Sequence, residues 1–222
     1  MKQRFLFASL GILFFNLAFG QTGKIPDPTQ KKELVSILDT IHQEDQKYRE
    51  GLDTIYKKYG WDSKETKDVW KIINEKDSIN LIKVEKILAE YGWLGADIVG
   101  KQGNKTLFLV IQHANLQTQI KYLPMFREAV KNGKAEGGSL ATMEDRVLIS
   151  QGEKQIYGSQ LAGDYKTKLY VLSPMIDPDN VDKRRAEVGL EPIAEYLKIF
   201  DVTWDVEKFK KRMEEYDAKK KK

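Results

Sequence analysis

Two polar residues interrupt helical stripes that are otherwise apolar. Asp45 falls in line with Leu34, Leu38, Ile41, Tyr48 and Leu52, and a carboxylate on a core-facing stripe is costly unless it is paired or hydrogen-bonded. Arg49 follows one turn later and offers a local i,i+4 pair. A surface pair would not need that stripe, however, so the position points to a partner on another element. His113 interrupts a second stripe, formed by Leu109, Leu116, Ile120 and Leu123, with Gln112 beside it and Gln117 one turn on. A lone histidine on an apolar face is commonly a satisfied core residue; the flanking glutamines weigh towards a polar site.

Downstream, Asp145 and Arg146 lie near the end of another helical stretch, followed by Gln155, Tyr157 and Gln160 around Gly158. Together these residues supply a general base or acid (His113), a carboxylate to orient it (Asp45 or Asp145) and a fixed cation for an anionic group (Arg146). Gln112, Gln155, Tyr157, Gln160 and Arg49 add binding groups. Such a set suits hydrolysis or group transfer at a polar or anionic centre. It equally suits a non-catalytic ligand pocket for a small molecule or protein partner, or a buried hydrogen-bond network that fixes helix register. Whether the chain is an enzyme stays open at this level.

Other chemistries are excluded more firmly. The chain has no cysteine, which removes disulfides and thiol catalysis, and His42 is the only histidine besides His113. No HExxH spacing supports a metal site, no GxSxG elbow supports a serine hydrolase, and no glycine-rich phosphate loop is present. No metal and no cofactor is therefore expected. The formal charge of +4 is concentrated at the ends, in Lys2, Arg4 and the lysine tail 219–222, leaving a slightly acidic body with no clustered basic face for nucleic acid. The tail reads as a solvated helix end.

The elements that must hold these residues are mostly helical. Spacings of three and four predict a long first helix ended by Gly60, a second opened by Ser63, and a third over 78–91 closed by Gly92. The tripeptide Tyr-Gly-Trp at 59–61 and again at 91–93 marks two similar helix ends. An all-round apolar segment begins at 107–111 and continues helically to Val130, with a kink or division at Pro124. A further helix is expected over 139–152, then strand-like runs at 155–161 and 168–172 around a turn with Gly163 and Asp164, then helices over 181–188, 192–200 and from Asp205 onward. The expected fold is mainly α: a multi-helix bundle with one small β-hairpin in the C-terminal half.

Residues 1–20 have the layout of a cleavable secretory signal peptide: Lys2 and Arg4, an apolar run over 5–15, and small residues at Ala18 and Gly20. The apolar run is shorter than the roughly 20 residues that span a bilayer. Cleavage between Gly20 and Gln21 would leave 21–222 as a single, mostly helical periplasmic or secreted domain with no integral membrane span.

The pairs Gln112-His113 and Asp145-Arg146-Val147, with Gln155-x-Tyr157-Gly158-x-Gln160, resemble the bacterial domain of unknown function 6624. Gly92-Trp93, Val99-Gly100, Asp182, Arg184, Arg185, Gly189 and Leu190 extend the resemblance, which covers roughly 34–196. Leu94 and Ser159 depart from the family's usual Pro and Thr. The resemblance implies a shared site without naming a substrate.

Two geometric expectations follow. Asp45, His113 and Arg146 should converge from three helices in a cleft beside the hairpin, because meeting one another relieves their burial most simply. Gln155 and Gln160, five residues apart, can serve one site only if Gly158 breaks the strand.

Overall fold

The computed structural model describes residues 23–164 and 169–220. Among them run nine helices and one antiparallel hairpin. The helices are α1 (Pro28–Gln46), α2 (Leu52–Tyr59), α3 (Lys64–Tyr91), α4 (Ala96–His113), α5 (Leu116–Lys131), α6 (Gly137–Ser150), α7 (Val181–Glu187), α8 (Ile193–Lys198) and α9 (Val206–Lys220). The hairpin pairs β1 (Leu161–Asp164) with β2 (Leu169–Leu172). No helix among the described residues is long and apolar enough to cross a membrane. The expected signal segment lies outside them.

Local chemistry sets several helix ends. Asp27 caps α1 through the N–H groups of Thr29 and Gln30, while the Gln30 side chain returns a bond to the Asp27 N–H, a complete capping box. Ser63 caps α3, which runs unbroken through the expected gap before Ser78. The long first helix divides instead, at residues 47–51. The apolar segment also breaks earlier than Pro124: α4 stops at His113, and Asn115 caps α5 through the Thr118 N–H. Pro124 is accommodated inside α5, where its position in the third turn costs one backbone bond rather than the helix.

α1 and α4 pack side by side and run parallel, with Asp39 against Gln102, His42 against Thr106 and Asp45 against His113. Gly103 permits the close approach, since a Cβ there would lie 3.2 Å from Leu38 and 3.0 Å from Val99. α3 runs antiparallel to α1, tied by Lys24–Glu90 at one end and by Lys76–Glu44 and Arg49–Asp77 at the other. α5 and α6 close this bundle, whose core includes the stacked rings of Trp93 and Phe126 at 4.2 Å. A second apolar cluster joins the hairpin to α7, α8 and α9 through Leu172, Met175, Val181, Ile193, Leu197, Phe209 and Met213.

The hairpin begins later than its sequence suggests. Gly163 and Asp164 are ladder residues opposite Tyr170 and Leu169, and residues 155–160 form a looped segment rather than a strand. The reason is a side-chain competitor for the backbone, the Asp145 carboxylate.

Candidate functional site

Asp45 occupies the last turn of α1 and is 1 % exposed. Its Oδ1 accepts a hydrogen bond from His113 Nδ1 at 2.9 Å, and its Oδ2 accepts from Gln46 Nε2 at 2.6 Å. Arg49 Nη1 lies 3.3 Å from Asp45 Oδ1 and donates to the Asp45 carbonyl at 2.7 Å, while Arg49 Nη2 donates to Asp77 at 2.6 Å. Both explanations for the polar stripe position therefore operate together. Burial pushes the Asp45 carboxyl up, but the His113 hydrogen bond and charge, Arg49 and Gln46 outweigh it and hold the group below the ordinary carboxylate range.

A carboxylate only accepts, so the proton of this bond sits on His113 Nδ1 and the lone pair of the neutral ring is on Nε2. Nε2 has no hydrogen-bond partner among the described residues, and the His113 side chain keeps 17 % of its surface exposed. The position at the end of α4 follows from local chemistry: Asn115 starts the next helix, and Gln119 Nε2 donates to the Gln112 and Ala114 carbonyls at 2.9 Å each.

Arg146, on α6, is the third member of the expected set. Burial pulls its guanidinium below its ordinary value; Tyr196 opposes this and Arg49 adds to it, so Arg146 lies within electrostatic range of the Arg49 that contacts Asp45. Its Nε is buried without a hydrogen-bond partner, and no ion pair satisfies the side chain among the described residues. Asp45 and His113 thus meet directly, whereas Arg146 approaches through Arg49 and forms no bond to either.

Asp145, one residue earlier, has a different job. Its fully buried carboxylate accepts from the backbone N–H groups of Ile156 (2.7 Å), Tyr157 (3.0 Å) and Ser159 (2.9 Å). Those N–H groups are unavailable to a ladder, which explains the loop. Gln155 and Gln160 close its neck reciprocally: Gln160 N donates to Gln155 Oε1 at 2.8 Å, and Gln155 Nε2 donates to the Gln160 carbonyl at 3.0 Å. Gly158 supplies the break, with φ of +70° and no room for a Cβ beside Ile193. Arg185 donates to the Tyr157 carbonyl and stacks on Tyr196, whose hydroxyl donates to the Ser159 carbonyl. Arg184 donates to the Ile156 carbonyl. Burial raises the Tyr157 phenol, assisted by Glu144 and Asp145. Asp145, Gln155 and Gln160 are spent on shaping this loop.

Gln112 is buried, and its amide nitrogen and oxygen both lack hydrogen-bond partners, as do those of Asn80 on α3. Asp77, Asn80 and Tyr196 were not singled out by sequence reasoning. Asp77 and Asn80 lie on an amphipathic helix where a polar residue draws no notice, and the partner of Asp77 is remote in the chain. Asn115 did carry a readable signal, as a capping residue immediately before an apolar-periodic run.

Donor atoms of Asp45, Asp77 and His113 lie within 4.8 Å of one another, a spacing that suits a cation. Arg49 already bridges the two carboxylates and supplies their counter-charge. The donor set is consequently closed by a protein cation. A separate groove of about 740 Å³ is lined by α2 and the Gly60-Trp61 that follow it, by β2 and by residues 199–201 after α8, including none of Asp45, His113 and Arg146.

Fold and site define a helical-bundle protein with a buried carboxylate–histidine dyad and a neighbouring arginine pair. A model described as a family of unknown function (DUF6624) matches residues 28–209, most of the chain, and the chain belongs to that family. No curated protein and no solved structure matches it.

Proposed function

We propose that this chain is an exported acid–base catalyst of hydrolase type acting on a polar, anionic substrate. His113 Nε2 takes a proton from water as the water attacks an electrophilic centre, then returns it to the leaving group. Asp45 keeps Nδ1 protonated and balances the imidazolium formed in between. Arg146, which has no counter-ion among the described residues, offers its charge to the substrate's anionic group. One observation carries the reading: Arg49, which contacts the Asp45 of the 2.9 Å His113–Asp45 hydrogen bond, lies within electrostatic range of Arg146, a half-buried arginine that lacks a counter-ion among the described residues. A network that merely filled the core would not call for an unneutralised cation within electrostatic range of Arg49.

The test uses the full chain against phosphate monoesters and diesters and carboxylic esters, with thermal shift by inorganic phosphate measured in parallel. His113→Gln is expected to lower turnover by about 10²–10⁴-fold with the fold retained, and Arg146→Gln to abolish the phosphate shift. Unchanged turnover in His113→Gln would refute catalysis by the dyad. A phosphate shift that depends on Arg146 without turnover of any ester would make the same cluster a ligand pocket instead. Export rests on the pattern of residues 1–20; N-terminal sequencing of secreted or periplasmic protein should begin at Gln21, and a start at Met1 on membrane-bound material would contradict it.

A further inference from the structure

The groove of about 740 Å³ lies within the usual 300–1,000 Å³ range of small-ligand sites and has a wall of connected aromatic rings. Tyr56 on α2 neighbours Trp61 at 5.6 Å between ring centroids, Trp61 neighbours Tyr170 on β2 at 5.5 Å, and Tyr170 neighbours Phe200 at 5.4 Å. The hairpin is built to seat this wall. Gly163 pairs with Tyr170 across the ladder, and a Cβ at Gly163 would overlap the Trp61 indole, so a side chain there would push the ring away.

Charged groups accompany the rings in balanced number: Asp53 and Asp201 against Lys57 and Lys58. Asp53 is held by Lys57 at 2.8 Å. Asp201 takes the left-handed conformation, with φ of +58°; its carboxylate forms no hydrogen bond or ion pair among the described residues and lies within electrostatic range of Lys57, which is already paired with Asp53. Leu169 and Ile199, 61 % and 70 % exposed, extend the apolar surface.

We propose that this groove binds a neutral carbohydrate chain. A sugar ring presents an apolar C–H face and a rim of hydroxyls. The face suits Trp61 and Tyr170, and the hydroxyls can donate to the acceptor-only Asp201 carboxylate or accept from the lysines. A purely apolar ligand would desolvate Asp201 without replacing its water. An anionic chain would meet two carboxylates, and a cationic one two ammonium groups. This site goes beyond the proposed hydrolytic function and does not depend on it.

Calorimetric titration of the full chain with hexamers of β-1,4-linked glucose, α-1,4-linked glucose and β-1,4-linked N-acetylglucosamine tests the inference, with dodecanoate as an apolar comparison. At least one hexamer should bind saturably. Asp201→Asn, which keeps a residue tolerant of the left-handed conformation, should weaken it about tenfold. Gly163→Ala should weaken it further by displacing Trp61, and His113→Gln should leave it unchanged. Absence of hexamer binding at millimolar concentration, binding of dodecanoate alone, or hexamer binding indifferent to both groove substitutions would each overturn the proposal.

Discussion

Asp45 and Asp145 are both buried carboxylates on helices of one bundle, yet their oxygens are satisfied by different kinds of donor. Asp145 is held by the backbone N–H groups of Ile156, Tyr157 and Ser159, none of which can gain or lose a proton near neutrality. Asp45 is held by an imidazole, an amide side chain and a guanidinium. The first arrangement fixes a loop. The second couples a carboxylate to an imidazole whose Nε2 has no hydrogen-bond partner among the described residues. Burial of an acid is therefore no guide to its role here; the identity of its donors is.

Replacing Asp145 should have the largest effect on stability. In Asp145→Ala three buried or half-buried N–H groups lose their acceptor, at roughly 1–3 kcal/mol for each orphaned donor before water relieves some of it. A net loss of about 4 kcal/mol, or about 10 °C in Tm, is expected by differential scanning calorimetry. A loss comparable with that of Asp45→Asn would erase the distinction between the two acids.

Asp45→Asn should cost less, about 1–2 kcal/mol, because the amide oxygen can still accept from His113. As a positioning substitution, it should reduce any turnover and alter its pH profile. The folded carboxyl titrates below the usual value of 3.8, so its stabilising contribution is complete above that value and is lost as the pH falls through the lower, folded one. Melting curves of wild type and Asp45→Asn should therefore stay separated from neutral pH down to about pH 4 and approach each other below it. Convergence already near pH 6 would assign the difference to another group.

The smallest expected effect has the opposite sign. Arg146→Met removes a half-buried cation with no counter-ion while keeping much of its volume, and should raise stability by about 1 kcal/mol while eliminating the phosphate shift. A lower Tm in this variant would show that Arg146 is already compensated within the fold.

Much of the architecture was legible in the sequence because it depends on neighbours in the chain. Helical periodicity, the cap at Ser63, the polar interruptions at Asp45 and His113 and the strand-like run at 168–172 are local signals, and the helical bundle with its single late hairpin follows from them. The break after His113 was legible too, in Asn115, although the apolar run masked it. The start of the hairpin was not, because strand propensity in residues 155–161 is overridden by a carboxylate that arrives from α6.

Pairing was decided only in three dimensions. The sequence by itself placed Asp45 and His113 on core-facing stripes, where a partner becomes necessary; it left both Asp45 and Asp145 as candidates to orient the imidazole. The parallel packing of α1 on α4 selected Asp45, by bringing together residues 68 positions apart. The loop of residues 155–160 claimed Asp145 in the same way. A buried charge declares its cost in the sequence, since burial follows from periodicity, but its partner depends on which helices touch and at what register, and those are properties of the packed core.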